Sequence, residues 1–271
     1  MTVSSDDPLT QRLHWSVKIA QEAGDLTLVH FRRADLKVER KSDNSPVTVA
    51  DRAAEELLRR RIAERFPNDA IVGEELGTSA GTTTYQWVVD PIDGTKSFIH
   101  GVPLYTTLVG VLERDQPSIG VIHAPATGET VYAATGRGCT YIAGANAQPR
   151  PARVSQIAQL SEGLLLTTDL ATFSKARSPD ALDVYLRLHR AARLARTWGD
   201  GYGYLMVATG RAEVMIDPEM NLWDMAALLP VIEEAGGRFT DWQGRRTIHS
   251  RDAIGTNGLL ADEVQALIRG E

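Results

Sequence analysis

After a short β-like run, "YQWVVD" at 85–90, three apolar runs between residues 104 and 136 follow one another with only short turns between them: "LYTTLVGVLE", "SIGVIHAP" and "ETVYAATG". Rich in β-branched residues and punctuated by turn residues, they predict an antiparallel sheet. The chain before them reads largely as helix. Residues 9–33 place Leu13, Val17, Ala20, Ala23 and Leu28 at mostly helical spacing, which predicts a long amphipathic helix. Residues 35–40 read as a short strand and "KSDNSPVTV" as a polar loop. "ADRAAEELLRRRIAERF" predicts a second helix, acidic in its first turn and ended by Pro67 and Asn68. "AIVGEE" is a further short β-like run.

The pattern shifts at "AGANAQPRPARVS", residues 143–155, and a domain boundary is placed near residue 148. Residues 1–148 would form an α+β domain and 149–271 an α/β domain. In the second part "GLLLTTD" reads as a strand and "SPDALDVYLRLHRAARLA" as a helix with a Ser-Pro start. "GYLMVATG" reads as helix, "AEVMID" as strand, and "NLWDMAALLPVIEEAGG" as one helix stopped by glycine. Strand, helix and strand are expected to close the chain. The alternation predicts an α/β fold in layers.

The chain has 271 residues, 43% hydrophobic and 24% charged, an ordinary globular composition. Its net charge of −6 gives no electrostatic case for nucleic acid or an anionic membrane as partner. An anionic substrate stays open, because a bound metal inverts the local field. The single cysteine, Cys139, allows no intramolecular disulfide. "MTVSSDDPLTQ" has no basic region followed by an apolar one, and no run approaches the ~18 apolar residues that span a bilayer. The expectation is a soluble cytoplasmic protein.

Chemistry enters through the acidic residues at element ends. "WVVDPIDGTKSF" sets Asp90 and Asp93 three residues apart, with Gly94 and Thr95 following. Such a turn can point both carboxylates and the Ile92 carbonyl into one space, as a hard divalent cation requires. Gly94 lets a phosphate approach the backbone, and a helix starting at Thr95 would present free N–H groups to it. Glu74 and Glu75 follow "AIVG", and Asp51 and Asp224 open predicted helices. Alone, Asp51 and Asp224 read as helix caps and Glu74-Glu75 as a solvated pair. Only their combination with "DPIDGT" changes that reading.

These pieces, in this order, resemble the inositol monophosphatase family of Mg²⁺-dependent, lithium-sensitive phosphatases: Asp51 in "VTVAD", "VGEE", "DPIDGT", "WDMAA" and "EEAGG". The similarity runs through nearly the whole chain. It implies the family's sugar-phosphatase fold, an αβαβα stack of helical and sheet layers, and a homodimer. By that resemblance Glu74, Asp90 and the Ile92 carbonyl hold one Mg²⁺, and Asp90, Asp93 and Asp224 a second. A third ion would sit near Glu74, with Asp43 in the 41–48 loop a candidate neighbour. Thr95, hydrogen-bonded to Asp51, would activate a water together with Glu74, and Gly94 and Thr95 would hold the phosphate. The chain departs from many members at Ser97, where they carry Asn; little consequence for chemistry is expected.

The ligand set implies a small-molecule phosphomonoester and no more. By register, the family's substrate-contacting positions correspond to Asp200 and Asp217, where inositol-specific members carry a small residue and Glu. Two carboxylates favour a cationic substrate. "TWGDGYGY" and "DPEMNLWD" resemble the histidinol-phosphatase branch, which implies hydrolysis of L-histidinol phosphate, a step of histidine biosynthesis. Inositol 1-phosphate or a broad substrate range is the alternative. Trp198, Tyr202 and Tyr204 offer either an aromatic face to such a cation or core packing. Asp200 also reads as the cap of the helix that follows it. "GTSAG" matches G-x-S-x-G, but no helix signal follows Ser79, so a loop is expected there. His100 reads as a capping residue, and no zinc site is expected.

Overall fold

The computed structural model describes residues 7–41, 45–144, 146–174 and 179–271. Asp43 lies outside them. The first helix, α1 (Pro8–Leu28), begins with Asp7 accepting the Thr10 N–H at 2.8 Å and Pro8 in its first turn, where a missing N–H costs nothing. It stops five residues before its predicted end. Phe31 leaves the helical path to pack on Phe98 and Tyr105, with ring centroids 5.7 and 5.2 Å away. A two-stranded ribbon follows, β1 (Val38–Arg40) with β2 (Pro46–Thr48), and leads into α2 (Val49–Arg65).

The main sheet has eight strands among the described residues: β3 (Ala70–Gly73), β4 (Gly77–Ser79), β5 (Tyr85–Asp93), β6 (Thr106–Glu113), β7 (Gln116–Ala124), β8 (Glu129–Ala134), β9 (Cys139–Ala143) and β10 (Arg150–Pro151). A short helix, α3 (Thr95–Ile99), separates β5 from β6. The strand order is β10-β9-β8-β7-β6-β5-β3-β4, with only the β3–β5 pair parallel. The predicted antiparallel run is therefore the body of this sheet. The "GTSAG" stretch supplies edge strand β4, and the Ser79 hydroxyl accepts from Arg59. Arg150 and Pro151, inside the compositional shift, still pair with β9.

The second sheet is built from β11 (Leu164–Leu166), β12 (Leu194–Arg196), β13 (Val214–Asp217), β14 (Arg238–Thr240) and β15 (Ala253–Thr256) in the order β12-β11-β13-β15-β14. Its helices are α4 (Ala181–Ala191), α5 (Gly201–Ala208), α6 (Leu222–Met225), α7 (Leu228–Glu234) and α8 (Ala261–Arg269). Two expectations are corrected here. The chain closes with strand, strand and helix, because Val264 and Ile268 of the last segment pack at helical spacing against the sheet. And the single helix expected over 221–237 is two, α6 and α7. Pro230 has no N–H and its ring would clash with the carbonyl four residues earlier, that of Ala226, where the helix breaks.

Both faces of the main sheet are buried, and the two-residue period sorts them. Trp87, Val89, Val109 and Val121 face α1 and α2, while Val88, Leu108 and Ile122 face α5, α6 and α7. The other side of that middle helical layer packs on the second sheet through Tyr204, Met215 and Phe239. Helices α4 and α8 cover its far face. The result is the five-layer αβαβα arrangement. Gly110 and Gly120 lie opposite each other on β6 and β7. A Cβ on Gly110 would meet the Ala226 Cβ at 2.8 Å, and one on Gly120 the Ala227 oxygen at 2.0 Å. The α6–α7 junction therefore rests directly on the sheet. No described helix is long and apolar enough to cross a membrane.

Candidate active site

The end of β5 and the start of α6 bring the acidic residues together. Strand β5 runs on through "DPID", with a register shift against β6 between Asp90 and Asp93. That irregularity turns both carboxylates to the same region. Asp90, Asp93 and Asp224 each offer an oxygen within 4.8 Å of the others. Asp93 accepts from the Thr106 hydroxyl at 2.8 Å and from the Gly201 N–H. Asp224 does not open its helix as expected: Asn221 is the cap, and Asp224, three residues on, accepts the Asn221 N–H at 2.6 Å in a capping box while it faces the cluster. The Ile92 N–H donates back to Asp90 at 3.1 Å.

Burial raises the Asp90 carboxyl well above the usual range, and the charges of Glu74, Asp93 and Asp224 raise it further. Asp224 is raised well above its ordinary value for the same reasons. Asp93 is pushed up to about 6 by burial, with the bonds from Gly201 and Thr106 opposing. A buried, all-oxygen set whose members repel one another fits a hard divalent cation.

Glu74 and Glu75 stand on the turn between β3 and β4. Lys41 bridges them, with Nζ 2.7 Å from Glu74 Oε1 and 2.6 Å from Glu75 Oε1. Burial lifts Glu75 to about 7. The turn is held from below by Glu55 of α2, fully buried, which accepts the N–H groups of Glu75 at 2.7 Å and Leu76 at 3.1 Å. Asp51 is not at the helix start as expected but in its first turn. It accepts from the backbone N–H and hydroxyl of Thr48, the true cap, at 2.8 and 2.6 Å through Oδ2. Its other oxygen lies 3.4 Å from Thr95 Oγ1, which also reaches the Ile92 carbonyl at 3.0 Å. Burial raises Asp51 as well.

Gly94 has φ 85° and precedes α3, a conformation that glycine adopts without strain. Gly94, Thr95 and Glu74 line a cavity of about 580 Å³ whose other lining includes Thr168, Trp198 and Asp200. A smaller cavity of about 170 Å³ adjoins it through Thr168, Thr172 and Asp200, and is lined by Asp93, Asp217 and Asp224. Asp200 precedes α5 but makes no side-chain cap bond, and its φ of 53° is unusual for a residue with a side chain. Its N–H is tied to the Thr168 hydroxyl at 2.9 Å. Burial and the charges of Asp93, Asp217 and Asp224 raise its carboxyl well above the usual range.

Asp217 is buried on the smaller cavity, accepts from Tyr204 at 3.1 Å and is pushed up to about 7 by burial. Of the three aromatic residues considered, only Trp198 lines the larger cavity. Tyr202 is buried and donates to Glu129 at 2.9 Å; Tyr204 is wholly buried. His100 ends α3 with Nδ1 2.8 Å from the Lys96 carbonyl. Sequence reasoning passed over Lys41, Glu55, Lys96, Thr106, Thr168 and Asp169. Each contributes through a contact distant in sequence, for which no local pattern exists.

A sequence model of the inositol monophosphatase family matches residues 9–269. The histidinol-phosphatase of Chlorobaculum parvum is 39% identical over 265 residues, 97% of this chain and 99% of that one. That of Mycobacterium tuberculosis is 39% identical over 249 residues, covering 92% and 94%. Among solved structures, the Thermotoga maritima IMPase superposes with a TM-score of 0.83 at 31% identity, covering 96% of this chain and 97% of that one.

Proposed function

The chain belongs to the inositol monophosphatase family, and from that premise we propose that it hydrolyses L-histidinol phosphate to L-histidinol and phosphate with Mg²⁺. Membership makes it a phosphomonoesterase of a metal-dependent family. The choice of ester is our reading. It rests chiefly on Asp200, an uncapped carboxylate at the junction of the two cavities, and it is supported by the names of the two relatives at 39% identity.

In this reading Glu74, Asp90, Asp93, Asp224 and the Ile92 carbonyl hold two or three Mg²⁺ ions. Bound there, Mg²⁺ would lower the pKa of a water toward neutral and offset charge on phosphoryl oxygens. The backbone N–H groups of Gly94 and Thr95 bind the phosphate. Thr95 turns its hydroxyl hydrogen from the Ile92 carbonyl, 3.0 Å away, to Asp51, 3.4 Å away, and keeps a lone pair to orient the attacking water. Glu74 takes a proton from that water. Phosphorus is attacked in line, the ester P–O bond breaks, the proton taken by Glu74 passes through solvent to the leaving alkoxide, and no covalent phosphoenzyme forms. Asp200 and Asp217 face the positive end of the substrate, with Tyr204 fixing Asp217. A homodimer in the cytoplasm is part of the same proposal.

The alternative ester is inositol 1-phosphate, favoured by the likeness to the Thermotoga maritima IMPase. Phosphate release from both esters with Mg²⁺ decides between them. We expect kcat/KM for L-histidinol phosphate to exceed that for inositol 1-phosphate by at least about tenfold. A preference for the inositol ester would sink the assignment.

A further inference from the structure

We propose that the Lys96–Asp169 ion pair is an exchangeable recognition element, selecting phosphomonoesters that carry a cation close to the ester oxygen. The inference rests on the phosphatase reading above and adds a specificity determinant to it.

Both residues line the larger cavity with Gly94, Thr95 and Asp200. They come from opposite halves of the chain. Lys96 follows Gly94 and Thr95 directly on α3, whereas Asp169 heads the 3₁₀ turn Leu170–Ser174 beyond β11. Lys96 Nζ lies 2.8 Å from Asp169 Oδ2. The carboxylate is aimed by its own turn: Oδ1 accepts the Ala171 N–H at 2.9 Å, and the Thr172 hydroxyl donates to the Asp169 carbonyl at 2.6 Å. Oδ2 is thus presented to the cavity independently of the lysine. The lysine side chain is 66% exposed and the carboxylate 34%. An ion pair so exposed adds little stability by itself, so its partners can be exchanged at small cost.

Substrate charge then decides the balance. A phosphate seated at Gly94 and Thr95 carries its negative charge beside Lys96 and draws the ammonium toward it. With a neutral alcohol as leaving group, Asp169 is left without its partner inside a partly desolvated cavity, which opposes binding. With an ammonium or imidazolium near the ester oxygen, the phosphate takes Lys96 and the cation takes Asp169. The substrate's own pair of charges replaces the internal pair and no charge is stranded. Trp198, which lines the same cavity and is 40% exposed, offers a flat face to a cationic ring.

The test measures kcat/KM for L-histidinol phosphate and inositol 1-phosphate, and inhibition by free L-histidinol, in the Mg²⁺-loaded enzyme and two variants. Asp169→Asn should lower the ratio of kcat/KM between the two esters about tenfold, through KM, and weaken L-histidinol inhibition by a similar factor. Lys96→Met should do the opposite to L-histidinol and tighten its inhibition, because Asp169 then waits unpaired. Purely structural damage would not move the two variants in opposite directions. An ester ratio within twofold of the unaltered enzyme in Asp169→Asn would overturn this inference and leave the phosphatase assignment standing. So would L-histidinol inhibition that weakens in Lys96→Met, a measurement that holds even should Asp169→Asn fail to fold. A preference of the unaltered enzyme for the inositol ester would overturn the assignment and this inference together.

Discussion

The Asp200 carboxylate occupies the space that a side chain on Gly94 would need: Oδ2 lies 2.7 Å from the position of a Cβ there. In the function proposed above, residue 94 serves the phosphate and residue 200 the organic part of the ester. The two functions therefore meet across one missing methyl group.

A methyl at that point should break both. Gly94→Ala forces a φ of 85° on a residue with a side chain and pushes Asp200 aside. A displacement of this size near reacting groups costs on the order of 100-fold in rate. We expect kcat/KM to fall by at least that much while the melting temperature changes by only a few degrees. Activity within tenfold of the unaltered enzyme would contradict the placement of phosphate beside Gly94.

Removing a carboxylate from the buried cluster should have two effects of opposite sign. Asp90, Asp93 and Asp224 repel one another without a cation, so Asp224→Asn should raise the melting temperature in EDTA. The same change should remove the stabilisation that added Mg²⁺ gives the unaltered protein, which grows with the logarithm of ion concentration over the dissociation constant. Phosphate release should drop by about 1,000-fold or more, the scale of losing metal-assisted activation. Thermal scans with and without Mg²⁺ read both effects. Equal Mg²⁺ stabilisation of the two proteins would remove Asp224 from the ligand set.

His123 gives a pH dependence away from the site. It is buried on β7, and its Nδ1 lies 3.1 Å from the Glu129 carbonyl and 2.9 Å from the Thr130 hydroxyl. Burial depresses it from 6.5 to about 4. Between those values the unfolded chain binds a proton that the folded chain refuses. The stability that His123 contributes is therefore complete above about 6.5 and declines as pH falls toward about 4, by about 3 kcal/mol at roughly 1.4 kcal/mol per unit. Raised carboxyls of the site, Glu75, Asp93 and Asp217 among them, shift stability the other way in this window, so the His123 slope is read as the difference in urea unfolding between the unaltered protein and His123→Gln at several pH values. An unchanged slope in that variant would assign the dependence to other groups.

Arg12 and Asp69 tie α1 to the main sheet. Their bidentate pair, 2.9 and 3.0 Å, is buried, and Asp69 also accepts from Trp87 and Thr83. The guanidinium lies over the Phe66 and Tyr85 rings. Arg12→Met leaves Asp69 charged and without its cation. We expect a loss of roughly 3–5 kcal/mol in denaturant unfolding, with kcat/KM unchanged at temperatures where the variant is folded. Asp69→Asn in the Arg12→Met background should recover part of the loss.

The layers of this fold were legible because their signals are periodic. Val88 and Val89 alternate between two cores, and the same two-residue alternation recurs in β6 and β7. Of the carboxylates that cluster, Asp90 and Asp93 stood out because they lie three residues apart with Gly94 and Thr95 following, and Asp224 because it lies near the start of a helix. The break between α6 and α7 was readable from Pro230 but was masked by the strong apolar run around it. What stayed hidden was the set of side chains that hold the site. Thr168 supports Asp200 from 32 residues away, and Gly201 donates to Asp93 from 108. Tyr202 and Tyr204 illustrate the converse: each hydroxyl has an internal carboxylate partner, Glu129 and Asp217, that no spacing rule announces.

Gly110 and Gly120 carry no functional group and touch nothing that reacts. Facing each other across β6 and β7, they nevertheless set how deep the α6–α7 junction can sit: Ala226, two residues after Asp224, lies on Gly110, and Ala227 lies on Gly120. They act as the absence of a shim. Any side chain at either place would lift the helix layer and draw Asp224 away from Asp90 and Asp93, detuning the cluster from a distance. Drift at these two positions is thus limited by clearance rather than chemistry, and a design that transplants the acidic residues onto another scaffold must carry the glycine pair along with them.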